Sequence, residues 1–234
     1  MIHNSAVQRR LRARLSDAQS LIGFHGELTG DEPGRRYAVD ALNRGSIVLS
    51  VAAWDAFIED LARANSLVLA RRLKGPKRLP DGCRDAFLNW MIAIQDLSKP
   101  TKEAKRTIWS MTGPGWRLKF AEYSRIKSQS YGTPNAKRIR KLFKDSLGLE
   151  DITSSWGHRR WGPDTYCEKL DQLLDLRHRI AHGTIDNETV GKTKAREAER
   201  LISNLAARSV IATERHLKQL NLLAPRKAKS IEID

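Results

Sequence analysis

Along this chain apolar residues recur at intervals of three and four almost everywhere, while period-two alternation is nearly absent, a pattern that predicts an all-α protein. Val7, Leu11, Leu15, Ala18 and Ile22 make the apolar stripe of a first helix, and Gly30-Asp31-Glu32-Pro33-Gly34 ends it as a turn. A longer second helix follows from about residue 36 to about residue 73, through Ala41, Ile47, Val48, Val51, Trp54, Phe57, Ile58, Leu61 and Leu67. Gly45 weakens it locally, and Gly75-Pro76 and Leu79-Pro80-Asp81-Gly82 stop it.

Two shorter segments, CRDAFLNWMIAIQDL and WRLKFAEYSRIKS, are set off by Lys99-Pro100 and Gly113-Pro114-Gly115 and read as helices inserted between core elements. Asn135 opens a basic amphipathic helix that Gly148 closes. Ile139, Leu142, Phe143 and Leu147 lie on one side of it, and Lys137, Arg138, Lys141 and Lys144 on the other. A loop containing Trp156, His158, Arg159, Arg160 and Trp161 then delivers the chain to a helix carrying Leu170, Leu173, Leu174, Arg177 and Ile180, with Gly183 as its C-terminal stop. A last long helix runs from about residue 192 to about residue 220, with Ala195, Ala198, Ile202, Leu205, Ala206, Val210 and Leu217 facing inward. The expected organisation is one helical domain over residues 1–224, with a helical insertion at about 74–132, and a loose tail at 225–234.

Composition narrows the partner class. A hydrophobic share of 40% in 234 residues fills a real core, and a net charge of +15 attracts polyanions, nucleic acid first and acidic membranes second. Cys83 and Cys167 stand far apart with no ligand-spaced partner, so neither zinc nor a disulfide framework is indicated, and a reducing cytoplasm fits. MIHNSAVQRRLRARL lacks the apolar core of a signal peptide, and no apolar run is long enough to span a membrane.

The richest stretch for chemistry is LLDLRHRIAHG, residues 173–183, where an arginine and a histidine stand five positions apart near the end of a helix. Five residues turn the direction by roughly 140°, so Arg177 and His182 converge only if the helix ends there, as Gly183 suggests. The same two residues also suit simple capping, because cations at a helix C-terminus satisfy loose carbonyls and oppose the negative end of the macrodipole. His178, one turn before His182, is a second possible proton carrier or a solvated helix-end histidine.

The run LDQLLDLRHRIAHG looks like the signature of the HEPN superfamily, whose motif is an arginine, four to six residues, then a histidine, with a polar residue directly after the arginine; here that residue is His178. NAKRIRKLFKDSLGLEDITSSWG is similar to the part of bacterial RiboL-PSP-type HEPN proteins that leads into the motif. SIVLSVAAWDAFIEDLARAN resembles their early helix, in which an acidic residue follows an aromatic one. These blocks leave residues from about 73 to about 131 unmatched.

The resemblance implies an all-α HEPN-type bundle acting as a metal-independent endoribonuclease, a toxin or antiphage effector, in a homodimer whose two motifs face one cleft. An antitoxin or companion defence protein would be a further partner. Attack by a ribose 2′-OH needs a base, an acid and a cation for the charged phosphorane, so two protomers supplying two arginines and two histidines suit the reaction better than one. Asp55, with Glu59 second on the same helical face, is the carboxylate expected to hold the Arg177 guanidinium by a bidentate bond. The alternative for both is ordinary surface charge or a structural ion pair.

Arg179, Arg159, Arg160, Lys137 and Lys141 are candidate RNA contacts, and Trp156 and Trp161 offer stacking faces, although such tryptophans more often anchor a loop to the core. No cofactor is expected, and with no third acidic ligand at a suitable spacing no metal site is expected either. Two rival functions stand beside the nuclease: a non-catalytic HEPN-like module that binds RNA, a nucleotide or a partner protein, and a basic helical DNA-binding regulator, for which no helix-turn-helix pattern is present.

Overall fold

The computed structural model describes residues 4–29, 39–94, 102, 106, 113–158, 161–184 and 189–223. Seven helices are described: α1 (Ser5–Thr29), α2 (Asp40–Arg72), α3 (Asp81–Ala93), α4 (Trp116–Gln129), α5 (Ala136–Leu147), α6 (Pro163–Ala181) and α7 (Lys192–Gln219). Among the described residues no strand forms, and the fold is all-α as the periodicity predicts. A single antiparallel bridge between His158 and Trp161 closes the loop ahead of α6. The turn expected at residues 30–34, the break at Lys99-Pro100 and the tail from residue 225 lie outside the described residues.

Helix α2 is the axis of the bundle. Its buried positions, from Asn43, Ser46 and Ile47 through Trp54, Phe57 and Ile58 to Asn65, Ser66 and Leu69, form a broad face, while Ala41, Leu49, Ala52, Glu59 and Arg63 leave one strip exposed. It packs against α1, α4, α5, α6 and α7. Trp54 on α2 stacks on Phe57 and meets Trp156 edge-on, with ring centroids 5.8 and 6.1 Å away. Both of these indoles find a partner for the N–H: Trp54 donates to the Pro134 carbonyl at 3.3 Å and Trp156 to the Ser209 hydroxyl at 3.0 Å. Trp156 therefore is the core anchor expected of a loop tryptophan, tying the approach to α6 onto α7.

The described helices of the segment 74–132, α3 and α4, share this core. Phe87 on α3 and Phe120 on α4 are fully buried and meet edge-to-face at 5.2 Å, and the Tyr123 hydroxyl donates to the Asp145 carbonyl on α5 at 3.0 Å. From α4, Arg117 donates to the carbonyls of Ala70 and Leu73 at 2.8 and 3.1 Å, placing a cation at the negative end of α2 and satisfying carbonyls that the helix leaves free.

Both ends of α5 follow from its sequence. The Asn135 side chain accepts from the Arg138 backbone N–H at 2.9 Å, an N-cap, and Gly148 closes the helix at φ 68°. A Cβ added at Gly148 runs into the ring of Pro80, whereas Gly183, which ends α6 at φ 66°, has open space around it. Gly183→Ala is thus expected to cost about 1 kcal/mol for the left-handed backbone alone, and Gly148→Ala about 2 kcal/mol or more. Denaturant unfolding of the two variants checks this, and equal losses would contradict the packing described.

Candidate functional site

Helix α6 begins on Gly162-Pro163, with proline at its first position, and buries Tyr166, Leu170, Leu173, Leu174 and Leu176. It ends where the glycine predicts. The Gly183 N–H donates to the Ile180 carbonyl at 3.3 Å and the Thr184 N–H to the Arg179 carbonyl at 3.1 Å, the paired bonds of a glycine-terminated helix. His182 occupies the C-cap with φ −95° and ψ 3°, so its backbone stays close to helical register. It consequently remains about one helical turn from His178 and roughly 140° around the axis from Arg177.

The structure pairs the two imidazoles. The rings of His178 and His182 lie 4.2 Å apart, centroid to centroid, inclined by 50°, and both side chains are exposed. The cation expected beside His182 is turned the other way. Arg177 is half-buried, and its Nε is shut away from water without a hydrogen-bond acceptor.

Asp55 on α2 has the matching condition: it is half-buried, and Oδ1 is sequestered with no donor. Burial pushes its carboxyl up to about 6, the Arg177 charge pulls it back and the Glu59 charge pushes it further. Asp55 thus feels the Arg177 charge. The expected bidentate bond does not form: Arg177 Nε and Asp55 Oδ1 both remain unpartnered. Loss of water raises the Asp55 carboxyl more than the guanidinium lowers it.

Glu59, one turn on, is exposed; its carboxyl is raised by partial burial and by Asp60, and lowered by Arg14. Asp60 in turn accepts from Arg10 Nε at 2.9 Å and Arg14 Nη1 at 3.2 Å, both on α1. Arg10 and Arg14 are absent from the sequence candidates. Their signal was their position one residue before Leu11 and Leu15, at the border of the apolar stripe, where a side chain reaches the neighbouring helix. Charges therefore alternate across three helices, from Arg10 and Arg14 through Asp60, Glu59 and Asp55 to Arg177.

The remaining candidates scatter. Arg179 forms an ion pair with Asp175 at 3.1 Å and, with Trp161, Tyr166, Lys169, Leu176 and Leu201, lines a groove of about 930 Å³ between α6 and α7. Trp161 is 41% exposed and carries the Lys169 ammonium over its ring at 3.6 Å, so unlike Trp156 it is no core anchor. His158 is exposed, and Arg159 and Arg160 lie outside the described residues.

Lys137 and Lys141 stand on the exposed face of α5, Lys141 bonded to Asp145 at 3.0 Å. Helix α5 meets α6 where Arg140 reaches Cys167 at 3.4 Å, ten positions and about 15 Å of helix before Arg177. Among the described residues no group of three or more histidines, cysteines or carboxylates is arranged to hold a metal ion.

The family model for RiboL-PSP-HEPN matches residues 10–214, through the second helix, the inserted segment and the whole Arg177 to His182 motif. The chain belongs to the RiboL-PSP-HEPN family. HEPN domains are in general endoribonucleases that bind RNA and dimerise, so membership points to an RNA-related function. No curated protein matches the chain, and no solved structure does. No helix among the described residues is long and apolar enough to cross a membrane.

The raised Asp55 carboxyl has a consequence for stability. Between its ordinary value of 3.8 and about 6 the folded chain holds a proton that the unfolded chain has lost, so this group makes stability fall as pH rises through that window. Asp55→Asn is expected to melt above the parent at pH 7, with the advantage fading toward pH 4, as thermal denaturation across that range will read. Arg177→Ala removes the compensating charge and should move the Asp55 titration, followed by carboxyl NMR, further upward.

Proposed function

We propose that this HEPN protein is a metal-independent endoribonuclease, working as a homodimer and serving as a toxin or antiphage effector held in check by a companion protein. The observation that carries the reading is the exposed His178–His182 pair at the end of the helix that also bears Arg177, its side chain half-buried toward Asp55. One imidazole takes the proton of a ribose 2′-OH as its oxygen attacks the adjacent phosphorus. An imidazolium gives a proton to the departing 5′-oxygen, leaving a 2′,3′-cyclic phosphate and a 5′-hydroxyl. Arg177 steadies the charge on the phosphorane.

Asp55 acts through Arg177. Its carboxylate biases the guanidinium toward one position. Arg177 and the histidines leave α6 on different faces, so a shared cleft at a twofold axis, with two arginines and two histidine pairs, supplies from two chains what a single one directs apart. Arg179, Lys137 and Lys141, with Arg159 and Arg160, would hold the flanking RNA backbone. The divergence of Arg177 from His182 also favours a second reading, a non-catalytic module that grips RNA through the same basic surface.

Incubation of RNA in chelator decides between them. The nuclease predicts cleavage by the parent with 2′,3′-cyclic phosphate ends, and a loss of about 100-fold or more in His182→Ala and Arg177→Ala. RNA bound but left intact by all three proteins establishes the module instead.

A further inference from the structure

We infer that the His178–His182 pair is a two-imidazole binding site for zinc, and that zinc bound there switches the protein off. Histidines four positions apart on a helix share one face, the arrangement by which helices present two imidazole ligands to one zinc ion. Here the spacing is kept to the last residue, because His182 sits at the C-cap with near-helical φ and ψ. The rings already lie 4.2 Å apart, centroid to centroid, on exposed side chains. Zinc binds imidazole nitrogens at about 2.0–2.1 Å in tetrahedral geometry, so its two ligand nitrogens stand about 3.3 Å apart, which a modest rotation of these two rings provides.

The setting favours a cation. An α-helix leaves its last four backbone carbonyls unsatisfied by its own ladder, and among the described residues those of Arg179 and Ile180 accept from the N–H groups of Thr184 and Gly183. The negative end of the macrodipole therefore points at the pair. The nearest arginines leave it accessible: Arg177 is half-buried on another face, and Arg179 is engaged with Asp175. No third histidine, cysteine or carboxylate completes the set among the described residues, so the remaining zinc positions go to water and the site is open and reversible rather than structural.

Zinc occupies the imidazole lone pairs that proton transfer requires. Binding does not depend on the ribonuclease reading; the inhibition does. Calorimetric titration of the metal-free full-length protein with zinc chloride, without RNA, is expected to show one ion per chain, accompanied by shifts of the His178 and His182 ring resonances. His178→Ala or His182→Ala should each weaken binding by roughly a hundredfold, the loss expected when a second linked ligand is removed. Both side chains are exposed, so neither variant endangers the fold.

Cleavage by the parent should then fall when the same zinc concentration is added and return with chelator. Failure of the parent to bind zinc, or binding by either alanine variant as tight as the parent's, overturns the site, and undiminished cleavage with zinc bound overturns the switch. A parent inactive in chelator condemns the nuclease reading and leaves calorimetry to decide the zinc site.

Discussion

A helix advances about 100° per residue, and that rotation governs what the motif of this protein does. Residues 177 and 182 belong to one short signature, yet five steps of the helix send them to different faces. Residues 178 and 182, four steps apart, come back together. The consequence is a division of labour along α6: Arg177 is half-buried within electrostatic reach of Asp55 on α2, and two imidazoles stand together in solvent at the C-terminus. Nothing in the last turn undoes this, because the glycine-terminated bonds that stop the helix leave His182 nearly helical.

The buried side of this division is electrostatically unfinished. Asp55 Oδ1 and Arg177 Nε both lack partners in a region where water is withdrawn, which destabilises the fold relative to a closed ion pair or an apolar contact. Such a cost persists where the surrounding packing imposes it, and here the neighbouring positions Trp54, Phe57 and Ile58 on α2 and Leu173, Leu174 and Leu176 on α6 fix both backbones. On the outer side, Arg10 and Arg14 of α1 share one carboxylate, Asp60, and the Arg14 charge also acts on Glu59, so opposite charges balance along that edge.

Much of this architecture was legible in the chain. The stripes of α1 and α7, the N-cap at Asn135 and the stops at Gly148 and Gly183 depend on local periodicity and backbone preference, which sequence reports directly. The coupling of Asp55 to Arg177 followed from residue type and family pattern; its failure to close a bond did not, because that depends on how much water each group loses in a crevice between two helices. The depth to which α3 and α4 enter the core, the exposure of Trp161 against the burial of Trp156, and the approach of Arg10 and Arg14 to Asp60 are likewise settled by packing between distant segments, for which a single chain carries no local mark.

The central claim is that one phosphate is held jointly by groups from two protomers, since α6 points the cation and the proton carriers apart within each. Co-expression of Arg177→Ala and His182→Ala chains tests it most directly, because about half of the dimers formed at random are mixed and retain one arginine and one His182 in a shared cleft. The account predicts that RNA cleavage, absent from each variant alone, returns in the mixed dimers. Mixed dimers as inactive as either parent variant would contradict it.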